Sequence, residues 1–302
     1  SLTFTSDNWN TPQTITVTGI NDDVDDGDQT STVTLSVNDG SSDDDFDSLD
    51  DQTVSVTTTD VDTAGLTISK EEVLVTEGGT EDTFTVALAT KPTSNVVITV
   101  SSSDTGEATV SPAQLTFTPG NWNTAQDVVV TGIDDSAVDG NQSSVISLAV
   151  VDASSADEYD SVTSGSVTAT TTDNDSAGMG TTPISTSTAE DGTTTFTVVL
   201  NTQPSSDVVV SATSSDTTEA TLSLAQLTFT NANWNIAQEV VVTGVTDGLI
   251  DGDQTPTVTI SIVDASSADE YDIVTDQVVT ITVVDVDTPA PPPDPDPDPD
   301  PD

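Results

Sequence analysis

Apolar and polar residues alternate with period two along most of the chain. Thr14-Ile-Thr-Val-Thr18 and Val33-Thr-Leu-Ser-Val37 send every second side chain to the same side, the pattern of a half-buried β-strand. Asp127-Val-Val-Val-Thr131 is a continuous apolar run and ambiguous by itself. The chain's own repetition resolves it. Val129 falls where an earlier copy carries Thr16, so Val129 is predicted to face out, while Val128 and Val130 match Ile15 and Val17 and face in. Val33, Leu35 and Val37 likewise match Ile146, Leu148 and Val150, and then Val258, Ile260 and Ile262. Inward rows are β-branched or Leu, outward rows largely Thr and Ser, and no helical periodicity stands out. The pattern predicts an all-β chain of antiparallel β-sandwiches, each sheet burying one face.

The copies announce themselves through one phrase. It reads Leu2-Thr-Phe-Thr-Ser-Asp-Asn-Trp9-Asn, then Leu115-Thr-Phe-Thr-Pro-Gly-Asn-Trp122-Asn, then Leu227-Thr-Phe-Thr-Asn-Ala-Asn-Trp234-Asn. A fixed period of this size marks a linear tandem array. Superposing the copies gives a partial repeat over 1–63, holding the C-terminal half only, complete repeats over 64–175 and 176–287, and a Pro-Asp tail over 288–302. Each complete repeat has room for about seven strands, the size of an immunoglobulin-like sandwich. The tail is expected to be an extended polyproline-II spacer. The partial repeat supplies about four of those seven strands, which leaves a core face and strand edges bare. Strands upstream in a longer polypeptide, or another chain, are expected to cover it. The start at Ser1, inside a repeat, also reads as a piece of a longer exported protein.

Charge narrows the function. The 302 residues carry 53 acids against Lys70 and Lys91, with no Arg, His or Cys. Such a surface repels nucleic acid and anionic membranes, so neither is expected as a partner. No apolar run reaches membrane-spanning length. Without His or Cys the usual zinc, haem and iron–sulfur sites are excluded, as are Ser–His and Cys–His nucleophile pairs. Self-repulsion calls for counter-ions, and a chain rich only in oxygen ligands suits hard cations such as calcium.

The acids recur in register at loop positions. One cluster is Asp22, Asp23 and Asp26, then Asp134, Asp135 and Asp139, then Asp247 and Asp251. Another ends each unit, as Asp60/Asp62, Asp173/Asp175 and Asp285/Asp287; a third is Glu77 and Glu190-Asp191; a fourth is Asp104 and Asp216. If strand ends gather at one pole, four or more carboxylates meet there and need a cation to stay ionised together. Asp43-Asp-Asp45 has no equally acidic counterpart and reads as solvated surface.

Val75-Thr-Glu-Gly-Gly-Thr, Phe84-Thr-Val, Ile133-Asp-Asp-Ser-Ala-Val-Asp-Gly and the closing Asp-x-Asp resemble the Calx-β domain. This is a calcium-binding sandwich of sodium–calcium exchangers and of bacterial surface arrays. The resemblance spans 1–287 and implies calcium at one pole of each domain, near the junction with the next. It carries the ligand role to Glu77, Asp104, Asp134, Asp135, Asp173 and Asp175. In the third repeat the role falls on Glu190, Asp216, Asp247, Asp285 and Asp287, and in the partial one on Asp22, Asp23, Asp60 and Asp62. Thr246 replaces Asp134, and Gln142 and Gln254 stand where the family often has an acid, so the third repeat is expected to bind fewer or weaker ions.

Paired carboxylates could serve acid–base catalysis, but here they recur in every repeat and no enzyme is expected. The tryptophans are expected to cover the ends of their cores rather than stack on sugars. Tyr159 and Tyr271 lie in an identical stretch, Val151–Asp160 and Val263–Asp272, with Phe46 in their place earlier, and read as buried plugs. The expectation is a calcium-stiffened extracellular stalk of a bacterial adhesin or surface fibre, on the cell surface or secreted. The alternatives are a self-assembling filament, in which other copies of the chain complete the partial repeat, and a glycan-binding module.

Overall fold

A computed structural model describes residues 1–289, and nearly all of the Pro-Asp tail lies outside the described residues. The strands are β1 (Gln29–Leu35), β2 (Gln52–Thr58), β3 (Leu66–Ile68), β4 (Glu72–Thr76), β5 (Glu81–Leu88), β6 (Val96–Ser102), β7 (Ala108–Ser111), β8 (Gln114–Phe117), β9 (Gln126–Gly132), β10 (Gln142–Val150) and β11 (Gly165–Thr172). The third repeat follows with β12 (Met179–Thr182), β13 (Ser185–Ala189), β14 (Thr193–Leu200), β15 (Val208–Ser214), β16 (Ala220–Leu222), β17 (Gln226–Phe229), β18 (Gln238–Gly244), β19 (Thr257–Ile262) and β20 (Gln277–Val284).

The chain divides into two compact units. The first takes in 1–75, 79–133 and 143–170; the second takes in 76–78, 134–142 and the residues from 171 on. These units do not coincide with the repeat boundaries. Each contains one sandwich. In the first unit the sheets run β3-β5-β9-β7 and β4-β11-β10-β6-β8; in the second they run β12-β14-β18-β16 and β13-β20-β19-β15-β17. Each sandwich thus has nine strands, not about seven, because two strands of each change sheets part-way. One such change falls at the cis Ser111–Pro112 peptide and another at the cis Thr182–Pro183 peptide. Proline has no N–H to continue a ladder. Not every pairing is antiparallel: β13 runs parallel to β20, with Ser185 opposite Thr280 and Ala189 opposite Val284.

The inward rows are where the alternation places them. Val128, Val130, Ile146 and Leu148 are fully buried in the first unit's core, as are Val240, Val242, Val258 and Ile260 in the second's. Val129 is half-buried on the other face. Trp122 and Trp234 are half-buried and pack against these cores. Tyr159 and Tyr271 are fully buried. Their hydroxyls are also engaged, which the expectation of a simple plug leaves out.

The partial repeat departs most from expectation. Of about four expected strands it forms two, β1 and β2, paired from Gln29–Thr58 to Leu35–Gln52. Thr14–Thr18 is not a strand, although its alternation matches that of β9. The reason is non-local. β9 is held between β5 and β7, and residues 1–63 contain no equivalent of either. β1 and β2, the counterparts of β10 and β11, have each other. With no opposing sheet among the described residues, Phe4 is 54% and Trp9 71% exposed, where Phe117 is fully buried.

Candidate metal centres

Strand ends bring the acids together. Because β13 and β20 run parallel and adjacent, both finish at the same pole. Glu190 follows β13, and the Asp285-Val-Asp287 turn follows β20. The Glu190 N–H donates to the Val284 carbonyl at 3.2 Å, and the Glu77 N–H donates likewise to Thr172 at 3.2 Å. Both glutamates are buried, Glu77 3% and Glu190 7% exposed. The turn after Glu190 places Asp191 at φ 57°, where the second repeat has Gly78 at φ 85°; Asp is among the few side chains that tolerate this left-handed region.

The Asp-x-Asp turn is built identically three times. The first Asp accepts the N–H of the second: Asp62 to Asp60 at 2.8 Å, Asp175 to Asp173 at 2.7 Å, and Asp287 to Asp285 at 2.8 Å. Its other oxygen accepts a glycine N–H from the acidic loop: Gly27 at 2.7 Å, Gly140 at 2.8 Å and Gly252 at 2.8 Å. These glycines hold φ of 70°, 73° and 78°, a conformation in which a Cβ is disfavoured. The acidic loop is also tied locally. Asp22, Asp135 and Asp247 accept the N–H groups of Val24, Ala137 and Leu249 at 3.0, 2.7 and 2.8 Å.

Three clusters of carboxylates result within the second compact unit, each with one oxygen per residue inside 4.8 Å of the others. They are Glu77–Asp173–Asp175, Glu190–Asp247–Asp287 and Glu219–Asp247–Asp251. Asp175 Oδ2, Glu190 Oε2 and Asp287 Oδ2 are buried oxygens to which no donor reaches. A buried carboxylate oxygen without a partner is costly. The donors at these points are all oxygen, so a hard divalent cation fits them.

Electrostatics agrees. Burial, and then the charges of Asp135, Asp173 and Asp175, raises the Glu77 pKa, although the Asn174 N–H opposes this. Burial followed by Asp173 and Asp134 raises Asp175, and burial followed by Asp287 and Asp285 raises Glu190. Glu219 is raised by burial and by Asp251, and Asp62 by burial and by Asp60. Asp285 is lowered, because the Gly252 and Asp287 N–H groups stabilise its charge.

Not every residue expected as a ligand joins a cluster. Asp104 accepts the Gly106 N–H at 2.9 Å, and Asp216 accepts Thr218 N–H at 2.9 Å and its hydroxyl at 2.6 Å, so each closes its own turn. Asp134 accepts the Asn174 side-chain amide at 3.3 Å. The third repeat has Thr246 and Val286 at these two positions, so acid and amide are lost together. Asp23 presents its backbone carbonyl to Lys91 N–H at 2.7 Å. Its counterpart is Ser136; hydrogen bonding aligns Asp22, not Asp23, with Asp135 and Asp247. Glu219 was not among the expected ligands. Its signal was available, since Glu107-Ala-Thr and Glu219-Ala-Thr recur in register three residues after Asp104 and Asp216.

No protein-family model matches the chain. No curated protein matches it. Among solved structures it is similar to domains 4 and 5 of the S-layer protein SbsC, at 16% identity over 62% of this chain and 77% of that one, TM-score 0.31. It is similar to the calcium binding domain CBD12 of CALX1.1, at 15% identity over 65% and 79%, TM-score 0.28. A third likeness is to the apo form of the Calx CBD1 domain, at 15% identity over 38% and 100%, TM-score 0.30. Likenesses this low say nothing about what this chain binds.

Proposed function

We propose that this chain is a structural segment of an extracellular repeat protein, stiffened by calcium, serving as the stalk of a bacterial adhesin or surface fibre. One observation carries the reading: in both complete repeats a buried glutamate meets the closing Asp-x-Asp, leaving carboxylate oxygens without donors. Calcium bound there would supply the missing partner and neutralise charge that burial alone cannot hold. The acidic loop, pinned to the Asp-x-Asp turn through Gly140 or Gly252, would be fixed with it. Recurrence suits cumulative ion binding and a load spread along a chain; it does not suit a single active site. The test is thermal unfolding of the whole chain with calcium and with chelator at equal ionic strength. An ion that binds only the folded form stabilises it by about 2.7 kcal/mol at a hundredfold excess over its dissociation constant. Equal midpoints would remove the calcium reading.

A second reading, a filament subunit whose partial repeat is completed by a neighbouring chain, draws on the exposure of Phe4, Trp9, Ile15 and Val17. Sedimentation across a concentration series separates the two: the filament requires growth with concentration, the stalk does not.

A further inference from the structure

We propose that each complete repeat carries a preformed socket for the acidic loop of the repeat before it, and that the duplicated stretch Val151–Asp160/Val263–Asp272 holds this socket in shape. The same contact occurs twice. Within the first compact unit the Lys91 N–H donates to the Asp23 carbonyl at 2.7 Å. Within the second, the Gln203 N–H donates to the Ser136 carbonyl at 2.7 Å, extended by a parallel bridge between Ala137 and Gln203. Lys91 and Gln203 are equivalent positions, as are Asp23 and Ser136. Side-chain chemistry differs at both, yet the backbone bond is the same. The recognition is therefore made by the main chain, as when a segment adds to a strand edge.

The donor sits on a short loop that is braced on both sides. Thr90 is buried; its carbonyl accepts the Tyr159 hydroxyl at 2.6 Å, and its own hydroxyl lies 2.9 Å from the Tyr159 hydroxyl oxygen. On the other side the Thr93 N–H donates to Glu158 Oε1 at 2.6 Å and its hydroxyl to Oε2 at 3.0 Å. The third repeat reproduces this: the Tyr271 hydroxyl donates to the Thr202 carbonyl at 2.6 Å, and Ser205 N–H donates to Glu270 Oε1 at 2.7 Å. Pro92 and Pro204 are buried between the braces. The Gln203 side-chain amide adds a bond to the Asn231 carbonyl at 3.0 Å, in the turn that carries Trp234. Both motifs that recur most closely along the chain, the tryptophan phrase and the duplicated stretch, thus support one loop.

The incoming segment is ordered too, through the Asp22 and Asp135 turns. Two preorganised surfaces lose little entropy on docking, so a backbone bond suffices to set the joint. This goes beyond the calcium reading, because the joint needs no ion. It also links the two, because the docking loop carries carboxylates that an ion would bind.

Amide hydrogen exchange at residue resolution on the whole chain, with calcium and with chelator, tests the socket. The Lys91 and Gln203 amides should exchange at least about tenfold more slowly than an unstructured peptide. Tyr271→Phe should speed Gln203 alone, leaving Lys91 and the core amide of Val240 unchanged. Glu270→Ala, which removes only the outer brace, should do the same if Tyr271→Phe disturbs the core. Protection in both media supports the socket and is independent of ion binding. Protection only with calcium overturns a joint that needs no ion. Peptide-like exchange of both amides in both media overturns it, as would Gln203 protection untouched by either variant. A calcium-independent melting point alongside protected amides would sink the calcium reading and leave the socket standing.

Discussion

Asp173 holds the backbone of Asp175: its Oδ1 accepts the Asp175 N–H at 2.7 Å while its Oδ2 accepts Gly140 N–H at 2.8 Å. Both oxygens are tied to main chain, so this carboxylate is held in place by the backbone alone. Asp175 is left with Oδ2 buried and without a donor, in the cluster it shares with Glu77. One aspartate therefore organises the turn and the other offers the open ligand.

That division predicts different outcomes for the two. Asp175→Asn should keep both sandwiches folded and weaken calcium binding, because it removes a charge and one acceptor. Asp173→Asn should in addition disturb the turn, and the double variant should make the particle more flexible. Calorimetry and small-angle scattering report these. Calcium binding that is unchanged in the double variant would make the pair ordinary surface.

Gly140→Ala tests the same turn from the other side. A Cβ there meets nothing within 4 Å, but φ is 73°. The cost is conformational, about 1 kcal/mol. Melting should fall slightly and calcium affinity with it, since the Gly140 N–H fixes Asp173. Affinity that is unmoved while stability drops would detach the loop from the metal centre.

Proton linkage gives an opposite trend with and without calcium. Glu77, Asp175, Glu190, Glu219 and Asp62 are raised, chiefly by burial, from the ordinary values of 4.5 for Glu and 3.8 for Asp. For a raised carboxyl the folded form holds the proton more tightly. Its stabilisation is present at low pH and fades as pH climbs from the unfolded value through the folded one. In chelator, melting should therefore rise as pH falls from neutral toward the ordinary carboxylate range. Asp60 and Asp285, lowered by backbone donors, act below 3.8, where stability is lost as they protonate. With calcium the upper trend should invert, because protons compete with the ion. A chelated protein that loses stability from neutral pH downward contradicts the repulsive cluster.

Phe196→Ala removes a ring that is 1% exposed in the second unit's core. It should cost about 3–5 kcal/mol. Calorimetry should show the third repeat melting earlier, with the first unit's transition in place. A single shifted transition would mean that the two units unfold together.

The sequence by itself determined which face of each strand is buried. Val128 and Val130 go in and Val129 does not, because a period of two is written locally and the repeats check one another. It also determined that Asp173/Asp175 and Asp285/Asp287 stand at equivalent ends of complete repeats. Tertiary structure decided what pairs with what. Thr14–Thr18 carries a strand's pattern but no ladder, because the strands that would flank it, like β5 and β7 around β9, have no equivalent in residues 1–63. Glu190 reaches Asp287 only because β13 lies parallel to β20. Glu219 recurs in register with Glu107, but only the fold brings it beside Asp247. Alternation is a property of neighbouring residues, readable along the chain. A hydrogen-bond ladder or a shared cation belongs to residues far apart in sequence, and only the folded backbone brings them within reach.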